Sequence, residues 1–449
     1  MRDFMKNKKT LMIASGLLGM SLTHFGLAAD QKNCSRENNY CAPAISSNGV
    51  PLNAFGAVAS SAKVPREDQV PEAPSNLKLP NIVPANTMWK NEVVQPPNLK
   101  AKSYLLEDAK TGNVIVASNP NKRVAPASLT KMMLLYIIEQ KLSAGELSLD
   151  QKVRVPSVAW HTSGSAYHVK EGQKVTIQDL IEGVIVASGN DAAVTLAIQV
   201  FGSQDAAVKH MNFAAKQLGM NNTHFTTVMG LPAPNQYTSA VDLAKLAQHL
   251  IYDFPEYYKK YYNIKSVTMN GITTPNYNKL LNMYQPADGI KTGSTDTAGY
   301  SLVSSAEKDD SRRLIVVMLG ASNMTVAAQN SKALYQYGFG NFTTKTIFDA
   351  NHKLDSIRVY KGKYDDAPIG LAQPLNLTYP KALDPSQFEW VAKKNPDGLT
   401  APVNKGDQAG TLKLNYQDKT IHEYPIVLLK DDPVGSWWQR LKGTVAQWF

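Results

Sequence analysis

Three short groups of residues could do chemistry together: Ser128-Leu129-Thr130-Lys131, Ser188-Gly189-Asn190 and Lys291-Thr292-Gly293. In that order they would supply a nucleophile with its base, a proton relay and an anion clamp, the parts of one acyl-transfer site. A serine hydroxyl is a poor nucleophile until a base lies within hydrogen-bond reach. Residues i and i+3 share a helix face, so Lys131 would stand beside Ser128. A free lysine, with a pKa of about 10.4, is charged at neutral pH and cannot be that base. Burial disfavours the ammonium, and a second cation such as Lys291 pushes the same way. Ser188 could relay a proton to a leaving amine, and Asn190 could orient a substrate amide and Lys131. Lys291 offers positive charge to an anionic group, Gly293 permits close backbone approach, and Thr292, Ser294 and Thr295 add hydroxyls around it. A helix start at Ser128 would aim N–H groups at a developing oxyanion.

Each motif alone is weak. S-x-x-K also occurs at Ser60/Lys63, Ser75/Lys78 and Ser305/Lys308, K-T-G at Lys110-Thr111-Gly112, and S-x-N at Ser46/Asn48. Local setting decides between them. The matches at Ser60 and Ser75 lie in a proline-broken stretch with nothing to desolvate a lysine. Ser305/Lys308 falls at a strand end and exposed turn. Lys110–Gly112 reads as the turn between strands Ser103–Asp108 and Asn113–Ser118.

The segment after Ser128 (Leu129, Met132, Met133, Leu134, Leu135, Ile137, Ile138) is apolar nearly all round and belongs in a core. Further helices are predicted at Ile177–Ser188, Asp191–Phe201, Gln204–Leu218 and Ala240–Ile251. Asp288–Thr295, Gly299–Ala306 and Arg313–Ala321 read as strands, the first an edge strand and the last a buried central one. Short alternating segments at Ile357–Tyr360, Leu375–Tyr379, Glu389–Lys393, Ala409–Tyr416 and Thr420–Leu429 predict a small all-β domain, read as a sandwich.

The 449 residues leave room for two or three domains, and 43% hydrophobic against 19% charged residues is a globular composition. Residues 1–28 read as a secretory signal, with Arg2, Lys6, Lys8 and Lys9 before an apolar run too short to span a bilayer and cleavage placed after Ala28. The net charge of +10, of which residues 1–28 carry +3 (Arg2, Lys6, Lys8 and Lys9 against Asp3), leaves +7 on an exported protein that would be drawn to anionic lipid or wall polymers. Export and the lack of a basic-aromatic motif speak against nucleic acid. Cys34 and Cys41 could close one small disulfide or stay free. No His spacing suggests a metal, and no cofactor is expected. Residues 29–95, rich in proline, read as an extended arm. The last segment, 431–449, is an amphipathic helix whose Trp437, Trp438, Leu441, Val445, Trp448 and Phe449 suit a membrane surface, with a helix packed on the β domain as the alternative.

Taken together, Pro126–Met133, Ala187–Ala192, Asn222–Phe225 and Asp288–Tyr300 resemble the low-molecular-mass penicillin-binding proteins, the serine-type D-alanyl-D-alanine carboxypeptidases with an amphipathic C-terminal anchor. The resemblance covers about Ala101–Phe449. It implies an α/β (α+β) catalytic domain of the penicillin-binding-protein/β-lactamase type over 96–345, a small all-β domain over 350–430 and the terminal helix. It implies that Ser128 attacks the D-Ala-D-Ala bond of peptidoglycan stem pentapeptides, that Ser128 and Ser294 N–H groups form the oxyanion hole, that Lys291, Thr292 and Thr295 face the terminal carboxylate, and that β-lactams acylate Ser128. It places the protein at the periplasmic face of the cytoplasmic membrane, peripherally anchored. Two departures stand out. Ala321–Asn330 holds no arginine where the family usually has one for that carboxylate, Ala327 taking its place, and Met229 precedes Gly230 where the family has histidine. A D,D-endopeptidase acting on crosslinks and a non-catalytic wall-binding protein stay open. A class A β-lactamase does not fit, because Glu256 lacks the E-x-x-L-N setting.

Overall fold

In the run Leu314–Leu319 alternate side chains go to opposite cores. Ile315, Val317 and Leu319 join one apolar cluster, and Leu314, Val316 and Met318 join the other. A strand buried on both faces therefore reads as uninterrupted apolar sequence. This strand, Arg313–Ala321, is the middle of a five-stranded antiparallel sheet. Its strands are β1 (Ser103–Asp108), β2 (Val114–Ser118), β3 (Ala287–Thr295), β4 (Gly299–Glu307) and β5 (Arg313–Ala321), in spatial order β2-β1-β5-β4-β3. The strand carrying Lys291 lies at the sheet edge, with no further strand paired on its outer side. The computed structural model describes residues 70–71, 82–308 and 312–446. The signal segment, Cys34, Cys41, most of the arm, Trp448 and Phe449 lie outside the described residues.

One face of the sheet carries the helical body. Thr130–Ser143 runs through it, with Met132, Met133, Leu134, Leu135 and Ile138 fully buried. Around it pack Ile177–Val186, Asn190–Phe201, Gln204–Gln217 and Ala240–Asp253. The predicted helix through Ser188 stops at Val186 because Ser188 takes a left-handed φ of +53°. Two short hairpins, Lys152–Arg154 with Lys174–Thr176 and Ser266–Met269 with Ile272–Pro275, carry too few residues for a periodic signal.

The other face carries helix Met324–Asn341, absent from the sequence reading. Its Gly338 lowers helix propensity yet is needed here: a Cβ would lie 2.9 Å from both Leu106 Cδ2 and Leu314 Cδ1. Strand Phe342–Phe348 follows at once and pairs with Leu375–Pro380, so the β region starts before the expected position 350. The rest is a six-stranded sheet of His352–Tyr360, Asp366–Leu371, Glu389–Lys394, Leu399–Thr400, Gln408–Tyr416 and Lys419–Leu428. The arm also ends earlier than expected. Ala85–Met88 form a helical turn, and Trp89 is buried, donating its indole N–H to Thr378 O at 3.1 Å and stacking on Phe388. Helix Trp437–Ala446 closes the described chain. No helix among the described residues is long and apolar enough to cross a membrane.

Candidate active site

Ser128 does not open the long helix. It lies in a 3-10 turn, Ala127–Leu129, and the helix begins at Thr130. The turn is held from outside. Gly230, at φ +85°, presses so closely that a Cβ would lie 1.7 Å from Ala127 O. Only glycine can sit there. That contact delivers the neighbouring Met229 carbonyl to the base: Lys131 Nζ donates to Met229 O at 2.9 Å and to Ser128 Oγ at 2.8 Å. Because Met229 acts through its backbone, its departure from the family's histidine leaves this bond intact.

Lys131 is fully buried, and its pKa lies well below the usual lysine range. Burial is the larger cause and the nearby Lys291 charge the second, while Asp191 opposes both. Lys291, also buried, donates to Ser188 Oγ at 2.9 Å and to Thr292 O at 3.0 Å. Burial lowers its pKa to about 7. The structure thus brings the three sequence motifs together as two pairs, Ser128–Lys131 and Ser188–Lys291.

Gly189 is needed for space and not for turn geometry. The turn strain falls on Ser188, and Gly189 itself has an ordinary φ of −55°. What it supplies is space: a Cβ would lie 2.7 Å from Tyr167 Cβ and 2.8 Å from Asp191 Oδ1. Asn190 does not bond Lys131. Its Nδ2 donates to Ser163 O at 2.6 Å, its backbone N–H donates to Ser165 O, and its Oδ1 is buried with no partner. A buried acceptor without a partner is a ready mate for an amide N–H. In the strand, Gly293 lies against the nucleophile turn, where a Cβ would sit 3.1 Å from Ser128 N. Thr292 is buried and Ser294 exposed. Thr295 Oγ1 accepts Ala298 N at 3.0 Å and so holds the hairpin turn. Ala327 is buried in the second core. Among the described residues no group of three His, Cys, Asp or Glu is placed to hold a metal.

Sequence reasoning missed Asp191. Buried in the first turn of its helix, it accepts N–H bonds from Tyr167 at 2.8 Å, Val169 at 3.2 Å and Ala192 at 2.9 Å. It thereby fixes the 163–169 wall that also binds Asn190. Its position directly after S-G-N was the available signal. Leaving buried N–H groups unpaired costs about 1–3 kcal/mol each. Asp191→Ala is therefore expected to lower the unfolding free energy by about 3 kcal/mol, read from the urea midpoint; an unchanged midpoint would refute this role.

The family of D-alanyl-D-alanine carboxypeptidases matches residues 90–323, and the C-terminal domain of penicillin-binding protein 5 matches residues 342–433. D-alanyl-D-alanine carboxypeptidase DacD of Escherichia coli is 38% identical over 356 residues, which span 77% of this chain and 90% of that protein. The crystal structure of penicillin binding protein 5 from Haemophilus influenzae is similar at 37% identity and a TM-score of 0.67, over 76% of this chain and 99% of that one. A penicillin-binding protein from Listeria monocytogenes, solved in its cefotaxime-bound form, matches at 28% identity and a TM-score of 0.51, over 55% of this chain and 100% of that one. With its two serine–lysine pairs, sheet and β region all inside these matches, the chain belongs to the D-alanyl-D-alanine carboxypeptidase family.

Proposed function

We propose that this protein is a serine D,D-carboxypeptidase that removes the terminal D-alanine from peptidoglycan stem pentapeptides and is acylated by penicillins. The observation that carries the reading is the buried Lys131 amine 2.8 Å from Ser128 Oγ, with a second buried lysine beside it. Neutral Lys131 takes the Ser128 proton as Oγ adds to the penultimate D-alanine carbonyl. The N–H groups of Ser128 and Ser294 receive the oxyanion. Collapse breaks the peptide bond, and the proton taken by Lys131 passes through Ser188, bonded to Lys291, to the departing amine, leaving Lys131 neutral again. Water then adds to the acyl carbonyl, giving its proton to Lys131, which passes it to Ser128 Oγ as the acyl bond breaks. Lys291, Thr292 and Thr295 face the terminal carboxylate, and Asn190 Oδ1 accepts a substrate amide N–H.

A second reading is D,D-endopeptidase, favoured by the absence of arginine from Ala321–Asn330 and by the burial of Ala327. A crosslink leans less on a free carboxylate beyond the cut. The deciding experiment gives the detergent-solubilised chain a muropeptide pentapeptide and a crosslinked dimer side by side. Release of D-alanine from the pentapeptide is expected to be the faster reaction. Dimer cleavage without D-alanine release would establish the endopeptidase, and turnover of neither would leave wall binding.

The protein is exported and rests at the periplasmic face of the cytoplasmic membrane. The basic, apolar start of the chain supports export. The exposed Trp437, Trp438, Leu441 and Val445 of the C-terminal helix support peripheral attachment.

A further inference from the structure

Helix Trp437–Ala446 is fastened to the β region. Gly443 packs so tightly on the turn before Tyr364 that a Cβ would lie 2.4 Å from Lys361 N. Gly435 N donates to Lys361 O at 2.9 Å, and Gln439 Nε2 donates to Lys363 O at 2.8 Å. The fully buried Asp432 accepts the N–H groups of Lys363 and Tyr364 through Oδ1. The turn and the helix start are therefore one rigid piece.

The turn presents its own amphipathic group. Tyr364 is 43% exposed, with Lys430 Nζ 4.8 Å and Lys363 Nζ 5.6 Å from its ring centroid. Neither ammonium has a carboxylate within ion-pair distance among the described residues. The acidic neighbours are engaged elsewhere. Asp365 and Asp366 lie beside Arg358, and Asp431 accepts Lys405 N. Two ammonium groups beside one exposed ring make the patch positive, which an anion would offset. Val434 at 47% exposure continues the patch from the turn to Trp437 at 59% and Trp438 at 65%. An aromatic ring flanked by lysines beside exposed tryptophans is the composition of a membrane interface.

We infer that Tyr364, Lys363 and Lys430 form a second membrane contact, a headgroup site for an anionic phospholipid. It rests on the reading that the C-terminal helix lies on the membrane, and adds lipid charge selectivity and a fixed orientation of the β region. A helix alone could roll about its axis, whereas two rigidly joined contacts cannot.

The test is co-sedimentation of the full chain with vesicles of phosphatidylcholine alone and with about a quarter phosphatidylglycerol, at physiological salt. The parent is expected to bind the anionic vesicles more tightly. Lys363→Gln with Lys430→Gln should weaken anionic binding by about thirtyfold and leave binding to neutral vesicles unchanged. Trp437→Ala with Trp438→Ala should lose both. Both variants should keep penicillin labelling and melting temperature, since these side chains are exposed. Equal binding of parent and double-glutamine variant to anionic vesicles would overturn the headgroup site and leave the helix reading standing. No vesicle binding by the parent would overturn the helix reading, and the headgroup site with it.

Discussion

Ser128→Ala is expected to abolish covalent labelling by fluorescent penicillin and to lower D-alanine release by about 10⁵-fold or more, the scale on which acyl-transfer enzymes lose rate without their nucleophile. The fold should survive. Ser128 lies in a 3-10 turn fixed by Gly230, and Lys131 keeps its bond to Met229 O when the hydroxyl is gone. The variant should still bind pentapeptide, because Lys291, Thr292 and Asn190 are untouched. Labelling that persists in Ser128→Ala would show that another residue is acylated and would sink the mechanism. Loss of labelling together with a collapsed melting temperature would instead assign Ser128 a structural part.

Lys131→Met is expected to lower penicillin acylation by about 10³-fold, within the usual range for a positioned general base. The pH profile tests the argument more sharply. The base must be unprotonated, so acylation rises with pH through the pKa of Lys131. Burial and the Lys291 charge push that pKa down, and Asp191 pushes it up. Removing the Lys291 charge in Lys291→Met should therefore move the acid limb to higher pH. Removing the Asp191 charge in Asp191→Asn should move it to lower pH. Opposite displacements, measured as the acylation rate constant across pH, are what the electrostatic account requires. An acid limb that stays put in both variants would show that another group sets it.

The candidate site was legible where side chains make its contacts. Ser128, Lys131, Ser188 and Lys291 announce themselves by type and spacing, and their settings separate them from the chance matches at Ser60, Ser75 and Ser305. Met229 could not be found this way. It contributes a carbonyl, which every residue possesses, and only Gly230 packed on Ala127 shows why that carbonyl is there. Asp191 bonds backbone N–H groups 22 and 24 positions away, a relation no local window contains. In the fold, Arg313–Ala321 was readable because both its faces are apolar. Met324–Asn341 was not, since Gly338 weakens the local helix signal in order to let the helix close on Leu106 and Leu314.

The second apolar core is shared property. Leu106, Val116 and Leu314 of the catalytic sheet, Tyr335 and Phe339 of the long helix, and Leu375, Leu377 and Tyr379 of the β region form one cluster with Trp89. Neither half can shed the other without wetting that cluster, so the two should melt as a single cooperative unit. Ligand occupancy then becomes a property of the whole chain. A β-lactam bound at Ser128 would protect the β sheet from heat although it touches none of its strands, because anything that favours the native state of one partner holds its neighbour folded as well.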